Sequence, residues 1–285
     1  MTVHVVTDST SDIDHARATQ LGITIVPLIV DFSGQTYRDG VDMDNHTFYQ
    51  RLATAAQMPK TSTPDVGTFR DTYEQVIKDG ATGIVSVHIS GALSGTLNAA
   101  TLAANQLTED RQRARQPAVP IRLIDSRTVS AGFGYPVILA AERARNGDSL
   151  DAVGDYVQRL ADSSKTYFLL DTLEYLQKGG RISAIQAGVG AMLSIKPILG
   201  IRDGIVVSLE RVRTRSKALA RMGELVAAGN VESLALAASD DGAAEDLLKV
   251  VRPVYDGHIE QFRLGAVIGT YAGPHAAGLF VIPKH

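Results

Sequence analysis

In the first 150 residues, short apolar, β-branched runs alternate with segments of helical spacing, and this alternation restricts the fold more than any other feature. The runs are residues 3–6, 23–30, 83–88 and 121–125; the helical segments are residues 14–21, 48–56, 68–78, 95–106 and 130–145. Strands separated by helices of this length pair in parallel through right-handed crossovers. Local signals agree with that reading. The cluster Thr7-Asp8-Ser9-Thr10-Ser11-Asp12 offers capping oxygens after the first strand, and Asn146-Gly147 closes a helix. Pro27 predicts an edge position or a distortion in the second strand. Residues 58–64 read as a loop framed by two prolines.

The pattern changes after residue 150. A helix over 150–161 and a strand over 167–170 precede a helix starting at 171–176, which Lys178-Gly179-Gly180 ends. An uncharged, small-residue helix is predicted over 182–194. Strands at 196–199 and 204–212 flank a tight Arg202-Asp203-Gly204 turn. A helix at 217–228, a strand at 234–239 and a helix at 243–251 complete the set. The expectation is a two-domain α/β chain. Residues 1–160 form an N-terminal parallel-sheet domain, and residues 161–285 a C-terminal α/β domain with a mixed or antiparallel sheet. The last strand is left free to return to the N-terminal domain. No linker-like tract separates the halves, so they are expected to pack firmly.

Composition narrows the function classes. With 285 residues, 45% hydrophobic and 21% charged, the chain can bury a sizeable core. Lys and Arg number 28 against 31 Asp and Glu, a net charge of −3 that gives no electrostatic footprint for nucleic acid or an anionic membrane. The absence of cysteine excludes disulfides, thiolate metal sites and cysteine nucleophiles, and fits a reducing, cytoplasmic compartment. The N-terminus lacks the pattern of a signal peptide. Residues 80–108 and 264–283 carry almost no charge but are broken by polar residues, Gly and Pro. They read as buried segments, and stable membrane insertion is not expected.

The familiar catalytic signatures fail. There is no P-loop, and Gly188-Val189-Gly190 lacks the third glycine of a dinucleotide fingerprint. Neither Ser90 nor Ser94 lies in a nucleophile elbow. The seven histidines include no i,i+4 pair, so no metal site is expected from them. Asp39, Asp42 and Asp44 form either a cation site or a solvated polar loop.

Two hydroxyl-rich segments remain. One is Lys60-Thr61-Ser62-Thr63 between Pro59 and Pro64. The other, Ser90-Gly91-Ala92-Leu93-Ser94-Gly95-Thr96, lies between a buried strand and a helix. That is where ligands sit in a parallel sheet and where free amides face an anion. Ser94 either binds an oxyanion or simply caps the helix. The charge-free helix over 96–108 should be covered by a domain, a subunit or an apolar ligand, as should the helix over 183–195; ordinary interdomain packing is the alternative. Arg211, Arg213 and Arg215 alternate and would share one strand face. They form a solvated face or a docking surface for an acidic partner or a phosphate. Arg181, projected by the preceding glycines, is a second candidate of that kind.

At these residues the chain resembles the DegV family. The likeness runs almost end to end. It covers Val6-Thr7-Asp8-Ser9-Thr10-Ser11-Asp12, Tyr37-Arg38-Asp39-Gly40, Lys60-Thr61-Ser62-Thr63-Pro64 and Leu93-Ser94-Gly95-Thr96. Further on it includes Leu176-Gln177-Lys178-Gly179-Gly180-Arg181-Ile182-Ser183, Lys196-Pro197-Ile198-Leu199 and Gly273-Pro274. The resemblance implies a DegV-like fold holding a long-chain fatty acid such as palmitate between its domains. It implies a lipid-binding carrier rather than an enzyme. The carrier serves as the fatty-acid-binding subunit of a bacterial fatty acid kinase and presents the carboxylate to a separate ATP-binding kinase subunit. The acyl phosphate formed feeds phospholipid synthesis. No cofactor or metal is implied. The carboxylate-binding hydroxyls fall on Thr61 and Ser94, beside Ser62 and Gly95. Tyr271 stands where the family often has a histidine, and Thr63 where it often has a glutamine. The rival from another class is an enzyme using the same oxyanion site for phosphoryl or acyl transfer on a small substrate.

Overall fold

The structure is a computed structural model describing residues 2–182 and 196–284. β1 (Val3–Asp8) leads through a 3-10 turn at Ser9–Ser11 into α1 (His15–Leu21), which Asp14 caps by accepting the amides of Ala16 and Arg17. β2 (Ile23–Val26) follows, then β3 (Ile29–Phe32), β4 (Gln35–Arg38), α2 (Asn45–Thr54) and β5 (Lys60–Ser62). Next come α3 (Val66–Lys78), β6 (Gly83–His88), α4 (Thr96–Arg113), β7 (Ile121–Asp125), α5 (Ala131–Arg145) and α6 (Leu150–Ser163). The second half has β8 (Lys165–Leu169), α7 (Glu174–Lys178), β9 (Ile198–Arg202), β10 (Ile205–Glu210) and α8 (Arg215–Ala227). β11 (Val231–Ala238), α9 (Asp241–Val251), β12 (Ile259–Arg263), α10 (Ala266–Ala272) and β13 (Ala277–Pro283) end the chain.

The predicted parallel sheet is present, in the order β2-β1-β6-β7. A mixed sheet runs β10-β9-β8-β13-β11-β12, with β11 and β12 parallel and the other pairs antiparallel. β9 and β10 turn at Asp203 and Gly204, both at positive φ (50° and 78°), the left-handed pair that a two-residue hairpin demands. A small antiparallel sheet, β4-β3-β5, completes the set. Helices α5 and α6 pack against strands of both large sheets. One apolar cluster accordingly draws Val85 and Val87 of β6, Phe133 and Val137 of α5, and Ala237 and Phe280 of the mixed sheet together. Gly134 makes this packing possible, because a Cβ there would run into the carbonyl oxygen of Ser11.

Several expectations are corrected. The strand over 23–30 is two strands: it breaks at Pro27, which has no amide to donate, and β3 leaves for the small sheet. The proline-framed segment is not a loop at its centre; Lys60–Ser62 pairs with β3 as β5. The last strand does not return to the parallel sheet: β13 sits between β8 and β11. The charge-free stretch 96–108 is the first part of α4, which runs on through Glu109, Asp110, Arg111 and Arg113, and it is not covered on all sides. Its alanines face inward, while Asn98, Asn105 and Leu102 (44% exposed) face solvent. The small-residue helix predicted over 182–194 lies outside the described residues, apart from Ile182, which is buried.

Candidate functional site

The five residues expected at the fatty-acid site all line one cleft. Thr61 reaches it from β5, Ser94 and Gly95 from the turn between β6 and α4, and Tyr271 from the last turn of α10; Ser62 and Thr63 border it too. The cleft holds about 980 Å³ of empty space counted out to its mouth. Its walls are apolar: Leu28, Leu93 and Leu176 on one side, Phe168, Val206 and Phe280 on another, with Val267 and Ile268 from α10. Ala237, Ala276 and Gly278, from the middle of the mixed sheet and its approach, keep the wall low.

The polar end is built from hydroxyls. Thr61 Oγ1 and Tyr271 OH lie 2.5 Å apart, joining β5 to α10. Ser94 Oγ accepts the Thr96 amide at 3.3 Å and lies 2.8 Å from Thr96 Oγ1. Ser94 thus takes the Thr96 amide beside the start of α4, where Gly95 is the capping residue, and it also lines the cleft. Ser90, on the same turn, donates instead to Gly204 O at 2.7 Å and ties the turn to the β9–β10 hairpin.

Among the described lining residues, Arg181 is the one charged side chain. Its guanidinium lies 4.8 Å from the centre of the Tyr271 ring. Nη1 donates to Gly179 O at 2.8 Å and Nε to Leu93 O at 3.4 Å. Arg181 thus stands at the cleft, where the sequence had offered it as a partner contact. Glycine is required beside it, since a Cβ on Gly179 would collide with the Tyr271 ring.

The other arginines are elsewhere. The shared strand face proposed for Arg211, Arg213 and Arg215 does not form, because β10 ends at Glu210 and Arg215 opens α8. Arg211 and Arg213 are exposed, and Arg215 points toward Asp246 of α9 at 3.8 Å. His275 is also away from the cleft, exposed and 3.0 Å from Asp240. The acidic trio separates into three structural tasks. Asp42 pairs with Arg38 at 2.7 Å, and hydrogen bonds from that residue hold its carboxyl down at about 2. Asp44 caps α2, and Asp39 is buried beneath the start of α10. Among the described residues, no group of three His, Cys, Asp or Glu side chains is placed to hold a metal ion.

Sequence reasoning missed most of the apolar wall, including Leu28, Phe168, Leu176, Val206 and Phe280. The signal for part of it was the uncharged run over 264–283, which supplies both α10 and β13.

The family model described as "Uncharacterised protein, DegV family" matches residues 2–284. The chain belongs to the DegV family. A DegV domain-containing protein of Streptomyces coelicolor is 36% identical over 287 residues, 98% of each chain. Among solved structures, a DegV family protein from Thermus thermophilus, described by its fatty acid binding, is 31% identical with a TM-score of 0.86 over 100% of both chains. A stearic acid-binding protein from Eubacterium ventriosum is 26% identical with a TM-score of 0.88, covering 99% of this chain and 98% of that one. The DegV fold thus comprises the parallel and mixed sheets described above. Among the described residues, no helix is long and apolar enough to cross a membrane.

Proposed function

We propose that this DegV chain binds a long-chain fatty acid in the cleft between an N-terminal unit, residues 1–160, and a C-terminal unit, residues 161–285. The carboxylate lies at Thr61, Ser94 and Tyr271 beside Arg181, and the alkyl chain runs along the apolar wall. The observation that carries this reading is one cavity with apolar walls and a hydroxyl-rich end. The relatives that bind fatty acids support the ligand class.

The energetics divide between the two ends. At about 0.8 kcal/mol per buried CH₂, some 15 methylenes contribute on the order of 10 kcal/mol before ordering costs. The hydroxyls add orientation and a preference for an anionic head. The bound acid is then presented to a separate ATP-dependent kinase subunit for acyl phosphate formation, with Arg211 and Arg213 as exposed contacts for that partner. On this reading the protein is a cytoplasmic carrier. No His, Asp or Glu stands among the described lining residues to serve an enzyme of phosphoryl or acyl transfer.

Organic extraction of the purified protein followed by mass spectrometry tests the ligand. Stoichiometric fatty acid is expected, whereas a nucleotide or sugar phosphate in its place refutes the reading. Incubation with ATP and the cognate kinase subunit tests the second step, through the appearance of acyl phosphate.

A further inference from the structure

Beneath the start of α10, two buried carboxyl groups face one another without a cation. Asp12 is 9% exposed and Asp39 3%. Asp12 Oδ1 accepts the Gly265 amide at 2.9 Å, and Asp12 Oδ2 accepts the Ser130 hydroxyl at 2.5 Å. Asp39 Oδ1 accepts the Ala266 amide at 3.0 Å. A Cβ placed on Gly265 would lie 2.9 Å from Asp12 Oδ1 and 3.3 Å from Asp39 Oδ1, so both carboxyls converge on that one residue. Asp39 Oδ2 is buried without a well-formed hydrogen bond, although the Ser9 hydroxyl and the Val267 amide lie near enough to pull the carboxyl down, and neither acid takes part in an ion pair among the described residues. A buried carboxyl oxygen with poor hydrogen bonding is cheaper protonated than ionised. Burial accordingly pushes Asp39 up to about 6, and pushes Asp12 well above the usual carboxylate range.

These contacts are close to the acyl cleft. Ser130 and Leu264 line it, and so do Val267, Ile268 and Tyr271 of α10. We propose that Asp12 and Asp39 are positioning residues for the acyl carboxylate: a carboxyl pair that holds a proton and, through the start of α10, sets Tyr271 against Thr61. The inference rests on the fatty-acid reading above and adds a pH dependence to it. When the pair gives up its proton, two buried like charges repel across Gly265. The start of α10 shifts, and the head-group end loses its geometry.

Other groups face the pair and must be separated from it. Asp8 of β1 lies near both acids, and Tyr49 of α2 donates to Leu264 O at 3.3 Å. On the outer side an open groove brings His15 and Arg17 of α1 and Glu260 and Arg263 of β12 toward the two carboxyls. The capping acids Asp14 and Asp44 border the same groove, and Asp240 acts on Tyr49 at longer range. His15 is the one histidine among these.

The test uses an alkyl sulfonate, whose head does not titrate, to displace a fluorescent fatty acid between pH 5 and 8. Wild-type affinity is expected to fall about three- to tenfold as pH rises through the range where the pair ionises. Asp39→Asn, which mimics the protonated acid, is expected to keep the low-pH affinity throughout, and His15→Gln to leave the wild-type profile unchanged. Coincident profiles for wild type and Asp39→Asn overturn the proposal, as does an Asp39→Asn protein that binds weakly at every pH. NMR of lipid-free wild-type protein with ¹³C-labelled aspartate provides a second measurement, independent of lipid binding. The Asp12 and Asp39 carboxyls should titrate together, with the amides of Gly265, Ala266 and Tyr271 moving at the same midpoint. A Tyr271 amide that stays still while the pair titrates overturns the inference. Absence of sulfonate binding at any pH would refute the fatty-acid reading instead.

Discussion

The contact between Thr61 and Tyr271 makes a prediction about coupling. Their oxygens are 2.5 Å apart, so one hydroxyl proton is committed to the other oxygen and one remains to point into the cleft. Either residue can supply that outward proton. Thr61→Val or Tyr271→Phe alone therefore leaves a competent donor, and acyl affinity should fall only about two- to threefold, the low end for energies shared between contacting residues. Removing both leaves the carboxylate without a donor on that wall. A hydrogen bond to a charged group is worth about 1.5–3 kcal/mol, or roughly 10- to 150-fold in Kd. Most of the loss should thus appear as an interaction energy in the double-mutant cycle. Displacement of a fluorescent fatty acid from the four proteins at one pH measures it. Valine suits β5 because β-branched residues fit strands, and matching thermal unfolding would confirm that the fold is intact. Strictly additive losses, or a double mutant with wild-type affinity, would refute the shared-proton argument.

Ser94 has its own partner in Thr96, so Ser94→Ala should weaken binding independently of that pair, by up to about 1.5–3 kcal/mol in the same displacement assay. Gly179→Ala drives a methyl into the Tyr271 ring and should lower stability by about 1–3 kcal/mol as well as acyl affinity, seen by thermal unfolding and displacement. The buried Asp39 holds its proton up to about pH 6, against 3.8 ordinarily, so the folded state binds the extra proton between those values. Its stability cost is absent below about pH 4 and fully present above about pH 6, on the order of 3 kcal/mol. Asp39→Asn should accordingly stabilise the protein at pH 7.5 but not at pH 4 in urea unfolding. Arg211→Ala with Arg213→Ala should leave co-purified fatty acid unchanged and slow acyl phosphate formation with the kinase subunit, an effect that fades with added salt.

The parallel sheet was legible because its signals are local. β1, β6 and β7 are contiguous apolar runs, and the intervening helices fix their direction. β5 was not legible: its three residues are polar and flanked by prolines, and only pairing with β3 makes them a strand. β12 was missed, and β13 was expected only as a last strand without bounds, for a different reason. Their partners, β11 and β8, lie far away in sequence, and nothing in a charge-free run over 264–283 separates α10 from β13 before Gly273 is seen to end the helix at φ 72°. At the site, Thr61 and Ser94 could be found from hydroxyls beside prolines and glycines. Arg181 could be singled out, but its place over Tyr271 depends on how α7 and α10 meet. The arginine alternation after β10 failed because Thr214 caps α8 and turns the chain before Arg215.

The charge arrangement at the cleft also bears on what a carrier must do. A carboxylate sealed under a buried, desolvated arginine would be costly to bring in and hard to reach from outside. On the fatty-acid reading hydroxyls do the close work, and the one cation among the described lining residues, Arg181, is itself exposed to water at the cleft. Its stacking on Tyr271 and its bonds to Leu93 O and Gly179 O hold the guanidinium with little freedom to collapse onto the ligand. On the carrier reading, affinity then resides in the apolar chain and orientation in the hydroxyl end. The head can be held in place and still be approached by a second protein. Replacing Arg181 by a neutral residue should therefore disturb presentation of the carboxylate more than retention of the lipid. Lipid content and acyl phosphate formation, measured on one Arg181→Gln preparation, separate the two; equal losses in both would mean that the arginine holds the ligand itself.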